Sequence, residues 1–125
     1  MSGTLFIVST PIGHLDDITR RAIDVLAAVD WIAAEDTRHS QRMLDQLGIR
    51  NRMISCHDHN ESQRSDELVA RLQSGEQGAL ISDAGTPLVS DPGYRLVRAC
   101  QEAQVNVVPV PGASALLAAL AAAGQ

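Results

Sequence analysis

Short apolar runs rich in β-branched residues alternate with helix-period segments along the whole chain, and this alternation restricts the fold more than any other feature. Residues 4–9 (TLFIVS) form the first run, closed by Thr10-Pro11. From residue 19 to 29, Ala22, Val25, Leu26 and Val29 recur at helical spacing. Residues 31–34 read as a second strand. Thr37 is placed to cap a helix that carries Met43, Leu44 and Leu47 and stops at Gly48. Residues 52–55 read as a weaker third strand. Asn60 with Gln63 three residues on resembles a capping box, opening a helix with Leu68, Val69 and Leu72 that closes at Gly75. Residues 78–82 (GALIS) are the fourth strand. Asp91-Pro92 offers an N-cap followed by proline at the first helical position, with Leu96, Val97 and Cys100 on the inner face. Residues 105–110 are the fifth strand, and 114–123 a fifth helix, nearly all Ala and Leu. The expectation is an α/β fold: a five-stranded, mostly parallel sheet with helices on both faces and right-handed crossovers.

A chain of 125 residues is one domain of ordinary size. Hydrophobic residues make up 45% but aromatics only 2%, so the core must be aliphatic, as suits strands sandwiched between helices. Cys56 and Cys100, behind a start that lacks a basic leader, read as reduced thiols in a cytoplasmic protein. The longest apolar run is too short and alanine-rich to span a bilayer, so no membrane partner is expected. The last helix is apolar on more than one face, which predicts a cover: a further domain or a partner chain. We therefore expect residues 1–125 to be the N-terminal domain of a longer protein, its second, C-terminal domain absent from this chain. Net charge is −5 and all ten basic residues are arginine. Six of them lie between Arg20 and Arg52 but are interspersed with acids, so no clean basic stripe is present.

In open parallel sheets, ligands sit beyond the carboxyl ends of the strands. The unusual loops all belong there: residues 10–17 after the first strand, 83–93 after the fourth and 111–115 after the fifth. Glycine lets a ligand approach the backbone and proline holds a loop rigid. The G-x-G-x-x-G and Walker patterns are absent, and there is no lysine to serve the latter. A ligand with hydroxyls, an amine and an adenine edge suits these loops better than a pyrophosphate. Asp83, ending a buried strand, is the obvious carboxylate for it; the alternative role is to cap its own loop. Two further clusters, Glu35-Asp36-Thr37-Arg38-His39 and Cys56-His57-Asp58-His59-Asn60-Glu61, follow the second and third strands. The second has metal-ligand residue types but lacks the spacing of a zinc motif, so no metal is expected. They are candidates for binding or catalysis; otherwise Asp36 and Asn60 are helix caps and the histidines surface residues.

Four segments carry a specific resemblance: Thr10-Pro11-Ile12-Gly13-His14-Leu15-Asp16-Asp17-Ile18-Thr19-Arg20-Arg21-Ala22, Ala34-Glu35-Asp36-Thr37-Arg38, His57-Asp58-His59-Asn60-Glu61 and Ser82-Asp83-Ala84-Gly85-Thr86-Pro87-Leu88-Val89-Ser90-Asp91-Pro92-Gly93. In order and spacing the chain resembles the ribosomal-RNA branch of the tetrapyrrole methylase family, across essentially its whole length. The resemblance implies two α/β domains with S-adenosylmethionine in the cleft between them, and a homodimer. It implies 2′-O-methylation of a cytidine ribose in 16S ribosomal RNA of the small ribosomal subunit. Carried over position by position, the cofactor contacts would be Ile12, Asp83, Thr86, Ser114 and Ala115. For the proton on the ribose hydroxyl, Glu35, Asp36, His57 and His59 are the catalytic candidates. This fragment alone is expected to be inactive. Two rivals remain: a methylase acting on a tetrapyrrole, whose members generally carry Gly-Asp-Pro where this chain has Ser82-Asp83-Ala84, and a non-catalytic docking scaffold.

Overall fold

The computed structural model describes residues 2–10, 15–57, 60–81 and 91–111. In chain order these form β1 (Thr4–Val8), a 3₁₀ turn (Leu15–Asp17), α1 (Arg20–Ala28), β2 (Trp31–Ala34), α2 (Thr37–Gln46), β3 (Met53–Ser55), α3 (Glu61–Gln73), β4 (Gly78–Ile81), α4 (Asp91–Glu102) and β5 (Asn106–Val110). Each strand lies where an apolar run predicts it, with ends trimmed by at most one residue. The expected fifth helix, 114–123, falls outside the described residues.

Helix starts show which side chains compete for the free backbone N–H groups. Thr19 caps α1 as its position suggests, its Oγ1 accepting from the Ala22 N–H at 3.1 Å. At α2 the cap is Asp36, not Thr37: its carboxylate accepts from the N–H groups of Arg38 and His39 at 3.0 and 3.2 Å. A carboxylate satisfies two donors and complements the helix dipole, so it displaces the hydroxyl one residue on. The capping box at α3 does not form. Asn60 makes no side-chain cap; its Oδ1 accepts from the His57 N–H at 2.9 Å and its Nδ2 donates to the Ser55 carbonyl at 3.4 Å. The amide is spent on the loop that precedes the helix. At α4 the helix already includes Asp91, the expected cap, and so begins one residue earlier than the sequence suggests.

Gly48 and Gly75, at φ 73° and 110°, end α2 and α3 in the left-handed region, as expected of C′ glycines. The Ile49 N–H then returns to the Leu44 carbonyl at 2.9 Å. Gln104 adopts the same conformation after α4, at φ 60° and without glycine's freedom.

The strands form one sheet in the order β3-β2-β4-β1-β5, with all four pairings parallel. Side chains alternate between two cores. Leu5, Ile7, Trp31, Ala33, Ile54 and Leu80 face α3 and α4, meeting Leu68, Leu72, Leu96 and Cys100. Val8, Ile32, Ala34, Ala79, Ile81 and Val110 face α1 and α2, meeting Ala22, Leu26 and Leu44. α1 and α2 serve the two connections that step toward β3; α3 and α4 serve those that step toward β5, on the opposite face. Opposite directions on opposite faces mean one common hand of crossover, in keeping with the right-handed rule.

Candidate active site

The strand registers place Ser55, Ala34, Ile81, Val8 and Val110 in one row across the sheet. Every strand therefore ends at the same level. At about 4.8 Å between strands the row spans roughly 19 Å. Successive connections leave β3, β2, β4 and β1 for alternate faces, so the loops part along this row, where open α/β sheets bind ligands. The three glycine- and proline-bearing loops leave β4, β1 and β5, which are contiguous. In the chain, β1 ends 70 positions before β4 begins and β4 ends 25 before β5 begins, yet the three strands are adjacent in the sheet.

At that half of the row β1 is followed directly by two buried hydroxyl side chains. Ser9 and Thr10 are both buried, Thr10 to 1% exposure. The Ser9 N–H reaches the Val110 carbonyl at 3.4 Å, and Thr19 Oγ1 donates to the Pro111 carbonyl at 3.5 Å, which ties the start of α1 to the end of β5. Thr10 opens the first of the loops singled out in the sequence; Ser9, beside it, was not singled out, and two hydroxyl side chains at the end of an apolar strand were the available signal. Ile12, Asp83, Thr86, Ser114 and Ala115 fall outside the described residues. Neither segment 82–90 nor 111–125 contains an arginine or lysine.

The other half of the row gathers the acid–base groups. The Cys56 N–H donates to the Ala34 carbonyl at 2.9 Å and so extends the β2–β3 ladder past both strands. Glu35 and Cys56 are thereby held side by side, with Asp36 and His57 one residue further on. Glu35 and Asp36 are exposed and His57 is half-buried. Asp36 Oδ1 is already committed to the helix cap. His59 lies outside the described residues. Arg64 Nε donates to the Ser55 carbonyl at 2.9 Å, and Asn60 holds the His57 N–H, so the β3–α3 junction is fixed from both sides. Beneath it, burial pushes the Cys56 thiol up to about 11; the charge of Glu61 adds to this, and Arg64 opposes it. Cys56 is thus a neutral packing group and not a nucleophile. Glu61 is buried, its Oε2 at 3.8 Å from Arg95 Nε on α4. Among the described residues no cluster of three His, Cys, Asp or Glu is placed to hold a metal ion. No described helix is long and apolar enough to cross a membrane.

Residues 4–125 match the family described as tetrapyrrole (corrin/porphyrin) methylases. The chain is 59% identical over 122 residues to ribosomal RNA small subunit methyltransferase I of Escherichia coli O157:H7, covering 98% of this chain and 43% of that protein. It is 58% identical over 123 residues to the protein of the same name from Pseudomonas aeruginosa, covering 98% of this chain and 44% of the relative. The chain thus spans less than half the length of these relatives. Among solved structures, uroporphyrin-III-C-methyltransferase from Thermus thermophilus matches with a TM-score of 0.72 at 21% identity, over 100% of this chain and 54% of that one. Diphthine synthase matches at 0.69 and 17% identity, over 99% and 49%. At such identity these two bear on the fold alone.

Proposed function

The chain belongs to the tetrapyrrole methylases, and from that membership we propose that it is the cofactor-binding, N-terminal domain of an S-adenosylmethionine-dependent enzyme that methylates the ribose 2′-hydroxyl of a cytidine in 16S ribosomal RNA. The observation that carries this is the 59% identity, over 98% of the chain, with a small-subunit ribosomal RNA methyltransferase. The rival tetrapyrrole substrate rests on likeness at about 20% identity, which supports only the fold.

The residues present fit the cofactor. Ile12, Asp83, Thr86, Ser114 and Ala115 would hold it, in the loops that leave β1, β4 and β5. When bound, the cofactor supplies a methyl group on a sulfonium, open to in-line displacement. The chain's own contribution is alignment and proton handling. A ribose hydroxyl is a poor nucleophile while protonated, and a base beside it contributes about 10²–10⁴-fold. Glu35 and His57 are the better-placed described candidates, since the Asp36 carboxylate already caps α2. His59, two positions after His57 in the chain, is the third candidate. A second domain supplies the other wall of the cleft, and a homodimer in the cytoplasm is the working assembly.

The test incubates the full-length protein with labelled cofactor and small ribosomal subunits lacking the modification, then maps the labelled nucleotide. Label on one cytidine ribose of 16S RNA is the expected result. Label on a base, or transfer to a tetrapyrrole but not to RNA, overturns the reading.

A further inference from the structure

We propose that the groove between α2 and the edge strand β3 is a docking site for RNA backbone, with Arg38 and Arg42 as its phosphate contacts; this rests on the ribosomal RNA reading above. The groove, about 520 Å³, is lined by Arg38, Gln41 and Arg42 on one side and by Met53 and Ser55 on the floor, with Asp45 at its far end. Arg38 and Arg42 stand one helical turn apart on the same side of α2, about 6 Å along its axis. That is close to the step between consecutive phosphates of a strand.

Their donors are unspent. Arg64, Arg71 and Arg95 each face a carboxylate within 4.0 Å. Among the described residues, Arg38 and Arg42 side chains have neither an ion pair nor a hydrogen bond. Two of the nearby acids each have an oxygen engaged elsewhere. Asp45 Oδ1 accepts from Gln41 Nε2 at 3.0 Å, and Asp36 is bound to the backbone at the start of α2. The positive end of the α2 dipole lies at the same mouth. A guanidinium presents a planar fork that matches a phosphate better than any other side chain does.

Position supports the same partner. Ser55 belongs to the row of strand ends, so the groove opens at the edge where Glu35 and His57 stand. An RNA strand presenting its target ribose there can run its neighbouring phosphates down the face of α2. Phosphate contacts of this kind fix the register of a nucleic acid without reading its sequence. A protein partner fits less well, because no aromatic side chain lines the groove and Met53 is its one large apolar group. In a chain of net charge −5, a local cationic groove is also what a polyanion requires.

The experiment compares full-length wild type, Arg38→Ala/Arg42→Ala, Arg38→Lys/Arg42→Lys and Arg98→Ala, the last an exposed arginine on the other face of the sheet. The probe is purified small ribosomal subunits lacking the modification. For the double alanine variant, KM for the subunit should rise about 10- to 100-fold with kcat changed less than about twofold. The slope of log binding constant against log salt should shrink by about 1.5. Affinity for the cofactor by calorimetry and the thermal midpoint should match wild type. The lysine pair should restore the salt slope but only part of the KM. Unchanged KM and slope in the folded double variant overturn the proposal, as does an equal loss in Arg98→Ala; Arg42→Gln repeats the measurement if the double variant melts early. A changed KM with an unchanged slope points to a protein partner and also overturns it. A wild type that transfers no methyl group to the subunit fails one level earlier, and removes the proposed function together with the groove.

Discussion

The two ends of the sheet are built differently. At the amino end, the connections are short and their polar groups are tied to one another. Asp30 and Gln77 exchange two hydrogen bonds, the Asp30 N–H to the Gln77 carbonyl at 2.8 Å and the Gln77 N–H to the Asp30 carboxylate at 2.7 Å. Asn51 Nδ2 donates to the Leu26 and Val29 carbonyls at 2.8 and 2.7 Å, closing the end of α1. The fully buried Trp31 ring lies over Gly78 on the neighbouring strand, where a Cβ would overlap it. At the carboxyl end, the row from Ser55 to Val110 sends out the longer loops, and exposed Glu35 and Asp36 face solvent. Where backbone groups are already paired, nothing is left over for a ligand. Stability therefore concentrates at one end and the proposed chemistry at the other, and substitutions should separate accordingly.

The largest effect is expected at the carboxyl end. Glu35→Gln or His57→Ala in the full-length enzyme should lower single-turnover methylation by about 10²–10⁴-fold for whichever residue takes the proton. The thermal midpoint should barely move. If neither variant slows the reaction, His59 becomes the candidate. At the amino end the order reverses: Trp31→Ala should cost about 3–5 kcal/mol in urea unfolding, while each molecule that remains folded keeps its methylation rate. A comparable loss of turnover in folded Trp31→Ala would show that the two ends are coupled.

Asp36 tests whether the division is strict, since it is a helix cap at the functional edge. Asp36→Ala should cost about 1 kcal/mol of stability, and Asp36→Asn, which keeps an acceptor, much less. A kinetic defect beyond the fraction unfolded would return Asp36 to the catalytic candidates. The smallest effect concerns pH. Cys56 and Cys100 are both pushed up to about 11 by burial, so the folded state holds its protons where the unfolded chain releases them. Stability is full below the unfolded thiol value near 9 and falls as pH rises from there toward 11. Replacing both cysteines with alanine should flatten urea midpoints over that window, and unmodified native protein should resist alkylation at pH 8.

Much of this was legible in the residue order. Apolar runs located all five strands, and Thr19, Gly48 and Gly75 marked a helix start and two helix ends. The loops proposed for the cofactor stand out in the sequence by glycine and proline placed after strands. The errors fell where two side chains could do one job. Asp36 and Thr37 are both good caps, and only the turn geometry decides which one reaches the free N–H groups. Asn60 carries the right spacing for a capping box, but its amide is drawn away by Ser55 and His57, whose positions depend on how β3 pairs. The acids and arginines of residues 20–52 looked evenly mixed in sequence, because charge in a list has no direction. Folding turns Arg38 and Arg42 into one groove and engages Asp36 and Asp45 elsewhere.

Local periodicity is a property of neighbouring residues, so the chain order fixes which segments are strands and helices and which of their faces are apolar. The partners of each strand are another matter. β4 lies between β2 and β1 because Leu5 and Trp31 both pair with Gly78, residues 73 and 47 positions away. No short-range pattern encodes that choice; it follows from burying both faces of the sheet under helices that cross with one hand. That arrangement brings the loops after β1, β4 and β5 to adjacent strands and sets Glu35 beside Cys56 and His57. The residue types needed for the chemistry are written along the chain, and their convergence at one edge is a product of packing.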